Sequence, residues 1–110
     1  MSPGPGEVWL ADLGLTAKTR PVVIVSRHDP DSPRALVICV PLSTQNRSSL
    51  YEVEVPKLSF LHAASVANVQ GIASIPTMRL ERKLGVLPNR ILDEIRRAIL
   101  FALDLDRPAP

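Results

Sequence analysis

The side chains best suited to chemistry stand at two places in the chain. Arg20 is followed by Pro21 and then by the β-branched run of TRPVVIVSR, Thr19–Arg27. A residue before proline is biased to extended backbone. That constrains the direction in which the guanidinium leaves the chain, and its five donors match the geometry of a phosphate. The second place is Ser43, Thr44 and Gln45, where two hydroxyls and an amide emerge together from the apolar run VICVPL. If the strands carrying these two places pair in antiparallel fashion, the start of one adjoins the end of the other, and a cationic fork stands beside two hydroxyls. Such a set could hold a phosphate and stabilise charge building on it. The plainer role for Arg20 is to cap a strand end or to pair with Asp12 across the hairpin, and the residues alone leave both roles open.

Other chemistries find no footing in the sequence. It contains no GxxxxGK[ST], no GxGxxG after a strand, no HExxH and no cysteine pair, so nucleotide hydrolysis, dinucleotide binding and zinc chemistry lack their usual residues. No cofactor or metal is expected. His28 heads a turn and His62 follows SFL in a loop; both read as surface residues rather than as bases, although histidine is the side chain that titrates near neutrality.

These side chains must be positioned by one small domain, because 110 residues bury a core but do not divide comfortably into two. Hydrophobic residues at 45% and charged residues at 22% fit a folded globular protein. A net charge of +2 and a pI of about 9.1 suit an anionic partner without identifying one. The single cysteine, Cys39, lies in ALVICVPL and reads as a small buried hydrophobe. No apolar stretch is long enough to cross a bilayer, and MSPGPGE lacks the basic and apolar regions of a secretory signal. The expected place is the cytoplasm, away from membranes.

Residues 1–5 and 106–110 read as flexible tails of a single domain spanning 1–110. EVWLADL, Glu7–Leu13, reads as a half-buried first strand. RPVVIVS, from Arg20, is a second strand apolar on both faces, with Pro21 tolerated only at its start. RHDPDSPR is a turn by composition, and Ala35–Ser43 a third strand that forms a hairpin with the second. Leu50–Pro56 alternates with period two. Ser65–Ile75 suggests one more strand bent at Gly71, and RKLGVL a short last one. From Asn89, apolar residues at Ile91, Ile95, Ala98, Ile99 and Ala102 recur at helical spacing, with Pro88 suited to the first turn and Asp93 placed to pair with Arg97. The sum is mainly β with α: a small antiparallel barrel with a C-terminal amphipathic helix.

In order and wording these segments resemble the MazF/PemK endoribonuclease toxins of bacterial toxin–antitoxin systems, from Gly6 to Leu105. GEVWLADL is similar to that family's opening strand, RPVVIVS to its Arg-Pro second strand, CVPLSTQ to its third strand with a hydroxyl-bearing end, and SVANVQGIASIPTMRL to a later strand. RPVVIVS combined with VPLSTQ is the most specific part. The resemblance implies an SH3-like barrel (MazF/CcdB-like), a homodimer, and metal-independent, sequence-selective cleavage of single-stranded RNA that leaves 2′,3′-cyclic phosphate and 5′-OH ends. It places Arg20 and Ser43 on the catalytic positions, the latter usually threonine. It also implies neutralisation by an acidic, MazE-like antitoxin whose disordered tail covers the RNA groove. Beside that pair, Lys18 and Arg47 supply charge for an RNA backbone, and Thr44, Gln45 and Gln70 can hydrogen-bond splayed bases. Arginine holds its proton too tightly to be an ordinary general base, and the sequence offers no clear acid–base partner.

The chain departs from the family pattern in two segments. Where relatives carry a longer loop with a Gly-Ser-Glu-Gln type segment, this chain has GLTAKT. Where they read like Glu-Gln-Ile-Arg-Thr, it has QGIAS, with Gln70 in place of an acid, Gly71 of a glutamine and Ala73 of an arginine. These departures motivate the alternative of a non-catalytic protein on the same fold, either a gyrase-poisoning toxin of the CcdB type or a degenerate member that only binds RNA or an antitoxin.

Overall fold

The computed structural model describes residues 2–14 and 19–110. In chain order the elements are β1 (Glu7–Asp12), β2 (Thr19–Ile24), β3 (Leu36–Ser43), β4 (Glu52–Val55), β5 (Ser65–Asn68), β6 (Ala73–Pro76), β7 (Leu80–Val86) and α1 (Asn89–Ala102). The sheet runs β4-β5-β3-β2-β1-β7, with β6 on β3, and every pairing is antiparallel. The end strands β4 and β7 do not pair, so the expected barrel is incompletely closed. No helix among the described residues is long and apolar enough to cross a membrane.

The apolar run of β2 is explained by burial on both faces. Val23 packs with Val8, Val40, Ile91 and Ile95 on the helix side, while its neighbours Val22 and Ile24 pack with Trp9, Cys39 and Ile75 on the other. Side chains alternate across a strand, so only a continuous apolar run can serve two cores. Each fully buried Val or Ile contributes about 1.5–3 kcal/mol relative to exposure. In α1 the buried residues Ile91, Leu92, Ile95 and Ala98 form one stripe, which lies over β4 and the turn after β5. Pro88 is the residue before the helix rather than its first turn, and Asp93 meets Arg96 at 4.0 Å instead of Arg97.

The stretch expected as one bent strand over Ser65–Ile75 is two strands. A 3₁₀ turn of three residues, Val69–Gly71, separates β5 from β6. β5 pairs with the end of β3 at Leu42 and Ser43, and β6 with its start at Leu36–Cys39. The turn presses on Pro41: a Cβ on Gly71 would lie 2.7 Å from Pro41 Cγ. That contact is the local reason for glycine at this position.

The N-terminal lead-in is not the loose tail its composition suggests. Pro3, Gly4 and Gly6 are buried, and Gly6, with φ of 87°, donates to Ile24 O at 2.8 Å and accepts from Leu87 N at 2.9 Å. A side chain disfavours that left-handed backbone, and Gly6 thereby links β2 to the chain leaving β7.

Burial also fixes the behaviour of the only thiol. Cys39 is buried, and loss of solvation pushes its pKa up to about 11 from 9.0. The folded state therefore holds the thiol proton more tightly than the unfolded state. The resulting stability is fully present below pH 9.0 and is lost as pH rises through about 11. Thermal melts across this range should fall more steeply for the wild type than for Cys39→Ala, and the native thiol should resist alkylation at neutral pH.

Candidate functional site

β2 and β3 pair Val22 with Pro41, Val23 with Val40 and Ile24 with Cys39. The paired stretch ends at Val22 and Pro41, and Arg20 lies just before it on β2 while β3 ends just after it with Ser43, so both stand at the same end of the hairpin. Arg20 is exposed and Ser43 half-buried. Both line a cleft of about 630 Å³ together with Leu13, Pro21, Thr44, Gln45 and Ser65. The hairpin expected from the sequence thus brings the guanidinium and the hydroxyls to one place.

Electrostatically the cleft is cationic, because its described lining residues include Arg20 and no carboxylate. The Arg20 side chain makes no ion pair or hydrogen bond among the described residues. Asp12, the alternative partner, is engaged elsewhere: it stands opposite Thr19, its carboxylate lies 4.0 Å from Arg79 Nη1, and its carbonyl accepts from the same nitrogen at 3.3 Å. Ser43 Oγ accepts from the Gln45 backbone N–H at 3.0 Å. That bond fixes the hydroxyl oxygen while leaving its proton free to be donated.

The loop beyond Ser43 is folded around Glu52. The Glu52 carboxylate accepts from the backbone N–H of Arg47 at 3.1 Å and from Ser49 N and Oγ at 3.1 and 2.8 Å. These bonds, the Arg47 backbone first, hold its carboxyl below the ordinary value. Arg47 Nη2 also donates to Gln45 Oε1 at 3.3 Å, which couples Arg47 to the cleft although it does not line it. Gln70 sits exposed on the 3₁₀ turn and is likewise outside the lining. Lys18 lies outside the described residues.

Two further clefts share Thr44 and Ser65 with this one. The first carries Glu54, Glu94 and Arg90; the second carries His62, Arg82 and Lys83. That Ser65, His62 and Arg82 line these clefts was not legible, because a serine beginning a strand, a loop histidine and an arginine in the RLERK segment carry no spacing signal. Only the sheet order, which sets β7 beside β1, brings them near Thr44. His28 is remote from all of this, its Nδ1 lying 2.9 Å from Ser2 O.

A family model describing PemK-like, MazF-like toxins of type II toxin–antitoxin systems matches residues 4–103. Among solved structures, an endoribonuclease from a mycobacterial species is 26% identical with a TM-score of 0.82, covering 98% of this chain and 97% of its own. A mycobacterial endoribonuclease in complex with its cognate antitoxin is 28% identical with a TM-score of 0.83, covering 99% and 100%. The Mycobacterium tuberculosis toxin MazF-mt6 is 30% identical with a TM-score of 0.80, covering 92% and 99%. No sequence match to a curated protein was found.

Proposed function

Because this chain belongs to the PemK-like, MazF-like toxins of type II toxin–antitoxin systems, we propose that it is an endoribonuclease that cuts single-stranded RNA at selected sequences without a metal ion. The observation that carries this reading is the convergence of Arg20 and Ser43 in one cleft free of carboxylates. The endoribonuclease relatives support it.

The reaction that suits these residues is internal transesterification. The 2′-oxygen of a ribose bonds to the adjacent phosphorus and the bond from phosphorus to the 5′-oxygen breaks, leaving a 2′,3′-cyclic phosphate and a 5′-OH. Arg20 offsets the negative charge gathering on the phosphorane oxygens, and the Ser43 hydroxyl donates to one of them. Thr44, at the junction of the three clefts, adds a second hydroxyl. The 2′-OH proton leaves to solvent, and the departing 5′-oxygen takes a proton from solvent. Arginine acts as a fixed charge throughout. Serine in place of the family's usual threonine keeps the hydroxyl that the step requires.

Sequence choice falls to groups that can hydrogen-bond unstacked bases, Thr44, Gln45 and Gln70, with Lys18 and Arg47 serving the backbone. A cationic cleft also fits an acidic antitoxin segment, which would inhibit by occupying it; a similar endoribonuclease forms a complex with its cognate antitoxin. We further assign the chain to a cytoplasmic homodimer.

Purified protein incubated with a long single-stranded RNA in EDTA tests the reading. Discrete fragments with cyclic phosphate ends are expected, and a 2′-deoxy sugar at a cut site should abolish that cut. Intact RNA throughout, or fragments only when a divalent cation is supplied, would reject it.

A further inference from the structure

We propose that the RNA strand leaves the Arg20–Ser43 cleft along the His62–Arg82 branch, where Arg82 and His62 hold a backbone phosphate flanking the cut. This rests on the ribonuclease reading above. The argument begins with continuity, since Pro21, Thr44 and Ser65 line both clefts. The two clefts therefore adjoin at these three residues, at the end of the sheet.

Register gives the direction. Arg82 of β7 is opposite Leu10 of β1, and Leu10 is opposite Pro21 of β2. Strands lie about 4.8 Å apart, so Arg82 stands roughly 10 Å across the sheet from Pro21. That is within reach of a neighbouring phosphate. Pro21 and Arg20 are successive residues and point to opposite faces. A polynucleotide using both clefts must turn around the sheet end at the scissile phosphate. A turn there unstacks the flanking bases, and single-stranded RNA is commonly recognised in that splayed form.

Charge separates this branch from the other one that meets at Thr44. The His62 branch has Arg82 and Lys83 and no carboxylate in its lining. The Arg90 branch sets Glu54 and Glu94 against one cation and repels a polyanion. Within the favoured branch Lys83 is committed to Glu7, at 3.7 Å, whereas Arg82 makes no ion pair among the described residues. Arg82 is the cation left for a phosphate, and exposed His62 on the facing loop adds a donor.

Binding of a short single-stranded oligonucleotide with 2′-deoxy sugars throughout tests this separately from cleavage, because its phosphates are present but no 2′-OH can attack. Each phosphate contact contributes about 0.7 to the slope of log affinity against log salt for single strands. Arg82→Gln should make the slope shallower by about that amount, His62→Ala should weaken binding severalfold, and Arg90→Gln should leave both unchanged. All three positions are exposed, and thermal melts would confirm that the variants fold. An unchanged slope in Arg82→Gln would overturn the assignment, as would a slope that responds to Arg90→Gln instead. So would weakened binding of an acidic peptide with oligonucleotide binding intact, because the branch would then belong to the antitoxin. Failure of the ribonuclease reading is seen independently, as wild-type protein that leaves RNA uncut.

Discussion

Arg20→Ala should lower the rate of RNA cleavage by about 10²–10³-fold, the effect typical of removing one well-placed donor to a developing oxyanion. Its stability should be unchanged, because the residue is exposed and its side chain has no partner among the described residues. Single-turnover cleavage together with a thermal melt checks both halves. The separation is informative. A cation that merely closed a strand end would show its loss in the melt, whereas one held for a phosphate shows it in the rate alone. Arg20→Lys keeps the charge but not the two-pronged donor geometry, and should recover only part of the lost rate.

Ile95→Ala should destabilise the fold by about 2–5 kcal/mol, the range for truncating a large buried aliphatic. Ile95 is fully buried in the middle of the α1 stripe, in the cluster that also holds Val23 and Val40. Small domains have about 5–15 kcal/mol of total stability, so this loss should be visible as a large drop in the denaturation midpoint. Because β2 and β3 carry the cleft residues and share that cluster, the variant should lose activity at temperatures where the wild type is still folded. A change below about 1 kcal/mol, the mean for ordinary substitutions, would show that the helix is not part of the core that fixes the site.

The hairpin holding Arg20 and Ser43 could be read from the chain because two continuous apolar runs on either side of a Pro- and Asp-rich turn leave few other arrangements. The helix was equally plain, since its buried stripe repeats at helical spacing over several turns. Local composition failed where long-range contacts decide. MSPGPGE has the residues of a loose end, yet Gly6 bonds to Ile24 and Leu87, partners far away in sequence. The break between β5 and β6 was hidden because SVANVQGIASI runs on as one stretch of apolar, small and polar residues with only Gly71 to mark a change. Only pairing with different parts of β3 requires the 3₁₀ turn between them. Arg47 was legible as a cation but not its engagement with Gln45 and Glu52, which depends on how the loop after Ser43 folds back.

The same distinction applies to the site. The nearness of Arg20 to Ser43 was readable because each sits at the end of a strand whose direction follows from the hairpin. The His62 and Arg82 branch was not, since its residues come from a loop and from β7, on the far side of β1 from β2. No pattern along the chain records that neighbourhood.

A double-mutant cycle on cleavage rate tests most directly whether Arg20 and Ser43 serve one phosphate. Two groups acting on a single transition state are strongly non-additive, so Ser43→Ala should slow the wild type markedly but slow Arg20→Ala little further. Ser43→Thr should retain activity. Fully additive losses would contradict a shared site, and a Ser43→Ala protein cutting at the wild-type rate would remove the hydroxyl from the reaction.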